Sequence, residues 1–201
     1  MNFELLVATN NAHKLQEIRK ILSPFHITVY GMKDLNISIE DPEENGKTYF
    51  ENALIKAQAL QKVTTMPIIA DDSGIEIDAL GEHVPGIHTA RYAASFGGYP
   101  QTFEHIFKEL EGGKSRRARF FCDICLVNVE DKPLCFEGIV EGQIVTKIVA
   151  QSDFGYDPIF YENSLGKTYA EMSEQEKNSV SHRGLALNKL LYYLMINKLA
   201  Y

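Results

Sequence analysis

Ile68-Ile69-Ala70-Asp71-Asp72-Ser73-Gly74-Ile75-Glu76-Ile77-Asp78-Ala79-Leu80, running on through Gly81-Glu82-His83-Val84-Pro85-Gly86 to Thr89-Ala90-Arg91, decides how this chain folds. Pro67-Ile68-Ile69-Ala70 reads as a buried strand, and the two acids, the serine and the glycine stand where that strand is expected to end. Ile75 to Leu80 alternates apolar and polar residues like a half-buried strand. The acidic pair is therefore expected between two strands, with Gly74 available for a turn. Two adjacent carboxylates repel, so they demand a cation, a shared proton or full hydration.

Outward from this centre, the N-terminal side alternates strand and helix. Phe3 to Ala8 is strand-like, and apolar residues recur at helical spacing from His13 to Leu22. Between them Thr9-Asn10-Asn11-Ala12-His13-Lys14 joins a strand to a helix start, where amide N–H groups, the positive helix end and a lysine suit an anion. An Asn N-cap with a surface lysine explains the same residues. Pro24 stops the helix, Ile27 to Tyr30 is a second strand, and residues 34–47 form a polar, acidic loop. Within that loop Glu43 and Glu44 precede a helix expected from Thr48 to Val63, which carries Glu51, Asn52 and Lys56 on neighbouring faces. Spacing alone leaves Lys56 facing either a site or water.

On the C-terminal side, a helix is expected from Gln101 to Leu110, followed by Arg116, Arg117 and Arg119 and then a hairpin of Ala118–Asn128 with Leu134–Ile148. Cys122 and Cys125 form a C-x-x-C, but three-residue spacing in a strand points them to opposite faces, so they read as core thiols of a reducing compartment. Phe154-Gly155-Tyr156-Asp157-Pro158 places aromatic faces and an acid beside a proline. A short helix with Ser173 and Glu176 as a capping box follows, and Ser181-His182-Arg183-Gly184 opens a long amphipathic helix. Cations in a first turn oppose the helix dipole, which points to a role for His182 and Arg183 beyond stability.

The 201 residues, 45% hydrophobic and with a formal net charge of −7, bound the answer. They suit a single domain of two lobes over residues 1–201, an α/β (mixed α+β) protein with a long mixed β-sheet, flanking helices and a central cleft. Excess negative charge excludes broad binding to nucleic acid or anionic membranes, no apolar run approaches a membrane span, and a cytoplasmic setting is expected. Lysines for phosphate, acids for a divalent metal (Glu43, Glu44, Asp71, Asp72) and rings for a base are the parts of a nucleoside triphosphate site.

Five stretches make the reading specific: Ala8 to Lys14, Glu51-Asn52-Ala53, Ala70 to Gly74, Phe154 to Pro158, and Glu176 to Arg183. Together and in this order they resemble the inosine triphosphate pyrophosphatase family, the non-standard purine (dITP/XTP) pyrophosphatases. The resemblance implies a homodimeric, Mg²⁺-dependent enzyme that splits ITP, dITP or XTP into monophosphate and pyrophosphate. It implies that Thr9, Asn10, Asn11, Ala12, His13, Lys14 and Lys56 hold phosphates, that Asp72 is the general base, and that Ser73 touches substrate. It further implies that Glu43 or Glu44 joins Asp72 on the metal, and that Phe154, Gly155, Tyr156, Asp157, Lys177, His182 and Arg183 surround the base. Asn10 departs from the family, which has glycine there. A donor pair at His182 and Arg183 suits the 6-oxo group of inosine or xanthine and meets the 6-amino group of adenine donor to donor. The rival readings are a Maf-type pyrophosphatase of modified nucleotides and a nucleotide-binding sensor without turnover.

Overall fold

A computed structural model describes residues 3–200. Its seven strands form one mixed sheet in the order β2-β1-β3-β4-β5-β6-β7, with β1 (Phe3–Val7), β2 (Ile27–Gly31), β3 (Ile68–Ile77), β4 (Arg117–Val127), β5 (Leu134–Ile144), β6 (Phe160–Glu162) and β7 (Lys167–Thr168). Six helices accompany it: α1 (Ala12–Leu22), α2 (Tyr49–Gln61), α3 (Thr89–Ser95), α4 (Tyr99–Glu109), α5 (Glu174–Val180) and α6 (His182–Ile196). β1 runs parallel to β2 and to β3, with Leu6 opposite Ile68, whereas β6 is antiparallel to both β5 and β7. The mixed α/β class and the sheet expected from the sequence are what the chain adopts. Among the described residues no helix is long and apolar enough to cross a membrane.

The main departure lies at the acidic centre. Ile68 to Ile77 is one unbroken strand of ten residues, with Asp71 and Asp72 inside it. Gly74 has no left-handed backbone and makes no turn. The expected break rested on the turn-like composition of two acids, a serine and a glycine. Pleating relieves the repulsion within the unbroken strand: successive side chains leave it on opposite faces, so each carboxylate finds its own cations.

The chain divides into two compact units. The first holds the chain up to Asp72, Cys122–Gly138 and the chain from Arg183 onward. Two cores cover its two sheet faces. On one, Leu5, Val7, Ile69, Cys122 and Ile124 pack with Ile18 and Leu22 of α1 and Leu187, Leu190 and Leu194 of α6. On the other, Leu6, Ile68, Ala70, Cys125 and Val127 pack with Ala53, Ala57 and Leu60 of α2. Cys122 and Cys125 thus serve opposite faces as buried free thiols. The second unit, Ser73–Phe121 with Ile139–His182, is centred on buried rings, Phe120, Tyr156, Phe160 and Tyr169.

Helix ends follow their local chemistry. Asn11 caps α1 through its side-chain oxygen, which accepts from His13 N and Lys14 N at 3.0 and 3.2 Å. Thr48 caps α2, accepting from Glu51 N at 3.1 Å. Ser173 and Glu176 form the expected capping box, which starts α5 at Glu174 after a separate single turn at Tyr169–Glu171. Each such cap is worth about 1 kcal/mol. The second strand of the hairpin ends at Ile144, earlier than expected; there Ile144 N donates to Arg116 O at 2.8 Å, closing the pair at the end far from its turn.

Candidate active site

In the first unit, the β3 pleat sorts two identical side chains into two environments. Asp71 lies on the face of α1 and α6. Its Oδ2 meets Lys14 Nζ at 3.0 Å and Arg183 Nη2 at 3.0 Å, with Arg183 Nε at 3.2 Å. Arg183 also donates to Glu17 Oε2 at 2.5 Å. Asp71 is 2% exposed and Arg183 1%. Burial pushes the Asp71 carboxyl upward, but the charges of Lys14, Arg183 and Lys56 outweigh it and hold the group far below the ordinary carboxylate range.

Asp72 faces α2 instead. Asn52 Nδ2 donates to its Oδ2 at 3.3 Å, and Lys56 Nζ lies 3.4 Å from Oδ1. The same ammonium is 3.5 Å from Glu44 Oε1, so Glu44 and Asp72 share one cation. Burial raises the Asp72 carboxyl; Lys56 and Lys14 pull it down, Glu44 and Asp71 push it up, and the net direction is upward. The Glu44 loop is held in place by Asn52, whose Oδ1 accepts from Gly46 N at 2.9 Å. A Cβ on Gly46 would sit 2.7 Å from that oxygen, so only glycine permits the approach. Glu43, by contrast, is exposed.

The loop before α1 braces itself. Thr9 Oγ1 accepts from Asn11 N at 3.1 Å, and the cap already takes the amides of His13 and Lys14. The Lys14 ammonium and the positive helix end remain suited to an anion. Asn10 keeps an ordinary right-handed or extended backbone and donates to Asp41 Oδ1 at 2.5 Å. A left-handed turn, the usual reason for glycine, is not used at this position.

The second unit holds the aromatic residues expected around the base. Lys177 Nζ lies 2.6 Å from Asp157 Oδ2, 4.5 Å from the Phe154 ring centroid and 5.7 Å from that of Tyr169. Gly155 takes a left-handed φ of 53°, which turns the chain between Phe154 and Tyr156. Phe154 is half-buried, whereas Tyr156 is core: it packs edge-on against Tyr99 and Phe103, and its hydroxyl donates to Thr89 O at 3.3 Å. Ser73 is half-buried. His182 is 4% exposed and stacks on Phe120 with centroids 4.4 Å apart and planes 7° from parallel.

Three of these participants escaped the sequence reading: Asn52 as a partner of Asp72, Glu17 as a partner of Arg183, and Phe120 beneath His182. Asn52 and Glu17 carried a faint signal, standing four residues before Lys56 and three after Lys14 on their helices. Phe120 carried none beyond being a strand aromatic.

The Ham1 family model matches residues 5–193. The chain is similar to the dITP/XTP pyrophosphatase of Halalkalibacterium halodurans, 43% identical over 189 residues that cover 93% of this chain and 96% of that protein. It is also similar to the dITP/XTP pyrophosphatase of Caldanaerobacter subterraneus subsp. tengcongensis, 41% identical over 95% of this chain and 96% of the relative. Among solved structures, the Staphylococcus aureus Ham1 protein superimposes with a TM-score of 0.80 at 37% identity, covering 96% of this chain and 99% of that one.

Proposed function

This chain belongs to the Ham1 family, and from that premise we propose how it works. It is a nucleoside triphosphate pyrophosphatase that cleaves the anhydride between the α- and β-phosphates of non-standard purine nucleotides, ITP, dITP and XTP, releasing the monophosphate and pyrophosphate. The observation that carries the mechanism is the convergence of Asn52, Lys56 and Glu44 on Asp72. Asp72 takes the proton from the attacking water at a carboxylate oxygen. Burial and the neighbouring Glu44 and Asp71 raise its proton affinity toward that task. Asn52 fixes the carboxylate plane, and Lys14 and Lys56 balance phosphate charge.

Two carboxylates already drawn to one ammonium are a donor set that fits a hard divalent cation. Asp72 and Glu44 would hold Mg²⁺, with Glu43, exposed and next to Glu44 in sequence, the weaker candidate. When bound, the ion neutralises phosphate charge and polarises phosphoryl oxygens.

For the base, Phe154 supplies a ring face and Lys177, fixed by Asp157, a cation beside it. His182 supplies an N–H donor for a 6-oxo group. Arg183 acts differently from the pairing expected of it: with its guanidinium between Asp71 and Glu17, it braces the acid that faces Lys14. Tyr156 likewise serves as packing under Gly155. The protein is read as a cytoplasmic homodimer that cleanses the nucleotide pool.

Pyrophosphate release with Mg²⁺ from ITP, dITP, XTP, ATP and GTP tests this. The three non-standard nucleotides should turn over with kcat/KM at least about a hundredfold above ATP and GTP. Equal cleavage of ATP would overturn the specificity, and tight ITP binding with no pyrophosphate would overturn the activity.

A further inference from the structure

The second unit builds a ring stack of which the chemistry above uses only one member, His182. Below His182 lies Phe120, almost exactly parallel to it. Tyr169 is 6.2 Å from the imidazole at 23° and 5.7 Å from Phe120 at 21°. Phe160 backs the group edge-on, 4.7 Å from Phe120 at 71°. All four side chains are buried.

An imidazole donates only in its own plane, and a hydrogen bond weakens steeply as its angle departs from linear. Whatever fixes the plane of His182 therefore fixes where its donor points. An aliphatic neighbour such as leucine, with no planar face, would allow the ring to tilt; a parallel aromatic ring with its centroid 4.4 Å away does not. Phe160 touches Phe120 and Tyr169 but has no stack on His182, so packing and orientation reside in different residues.

We infer that Phe120 is a positioning residue for base selection: by stacking on the His182 imidazole it aims that ring's N–H and so sets the preference for a purine with an acceptor at position 6. The inference rests on the assignment of His182 to base recognition made under the proposed function.

The test compares Phe120→Leu, Phe120→Tyr, Phe160→Leu and His182→Ala. Phe120→Leu and His182→Ala should each lower the ITP-over-ATP ratio of kcat/KM by about tenfold or more. In Phe120→Leu the KM for ITP should rise while kcat stays within about threefold. Phe120→Tyr keeps the ring and should restore the ratio; Phe160→Leu should lose thermal stability yet keep it. Independently of activity, the His182 imidazole C–H protons should resonate upfield in the wild type, from the Phe120 ring current, and return to the ordinary range in Phe120→Leu. If His182→Ala keeps the ratio, the base-site reading falls and this inference with it. If His182→Ala loses the ratio and Phe120→Leu does not, or Phe160→Leu loses it equally, the positioning role alone falls. Should Phe120→Leu fail to fold, an unshifted wild-type imidazole signal is enough to overturn the stack.

Discussion

Asp71 and Asp72 are neighbours along one strand and opposites in chemistry. On the α1 and α6 face, Asp71 sits with two cations and a second acid, Lys14, Arg183 and Glu17. On the α2 face, Asp72 has one amide and one ammonium, the latter shared with Glu44. The first carboxyl is pinned in its charged form, while the second is lifted toward protonation. A strand pleat thus turns a repeated residue into a structural anion and a candidate base, with no change in side chain.

The sharpest way to break this contrast is to neutralise each acid alone. Asp72→Asn keeps volume and the Asn52 contact but removes the proton acceptor. Its kcat on ITP should fall by about a thousandfold, equivalent to roughly 4 kcal/mol of barrier, with thermal stability near wild type. Near-normal turnover would move the base to another residue.

Asp71→Asn should show the reverse pattern, with stability as its main casualty. It leaves Lys14 and Arg183 close together in a buried site with one remaining acid, a loss of about 3 kcal/mol and a melting point lower by roughly 6–12 °C. The pH dependence gives a second signature. Because the folded carboxyl titrates far below its unfolded value near 4, its stabilisation is complete above that pH and declines as pH falls further. The deficit of Asp71→Asn, measured by denaturant titration, should therefore be constant from pH 5 to 8 and shrink in stronger acid. A deficit that grows in acid would deny the ion pairing. Replacing Arg183 by Met in the Asp71→Asn background should recover part of the loss, since the uncompensated cation leaves with it.

The two acids also mark what a sequence can and cannot disclose. The capped helices were legible because Asn11, Thr48 and Ser173 lie within three residues of the amides they satisfy. The strand through Asp71 and Asp72 was read as two because its stabilising partners are remote: Arg183 is 112 residues from Asp71. Locally, two acids and a glycine have the composition of a turn, and only tertiary charge pairing overrides it. The candidate site shows the same division. Lys14 and Asp72 stood out by type and motif and Lys56 only through the family resemblance, whereas the pairing of Arg183 with Asp71 and the stacking of His182 on Phe120 required the folded chain.

A third acid supplies the smallest test of how environment separates carboxylates. Asp123, in the middle of β4, is buried in the first unit, and its carboxylate accepts a hydrogen bond from the Phe50 amide in the first turn of α2. Unlike Asp71 it has little cationic company. Burial, with the charges of Glu137 and Asp72, outweighs the Phe50 amide and Lys189 and pushes its carboxyl up to about 6. An acid whose folded value exceeds its unfolded value near 4 holds a proton in the native state that the unfolded chain has already released. Stability therefore falls as pH rises from about 4 to about 6 and stays lower above that window. Asp123→Asn can still accept from Phe50 but has no charge to bury. At pH 7.5 it should be more stable than wild type by about 1 kcal/mol, after allowance for solvent screening of the shift. At pH 4, where wild-type Asp123 is protonated in the folded state, the advantage should vanish. An equal gain at both pH values would mean the asparagine packs better for reasons unrelated to charge. No gain at pH 7.5 would mean that this acid, like Asp71, has found enough positive potential to remain ionised at no cost to the fold.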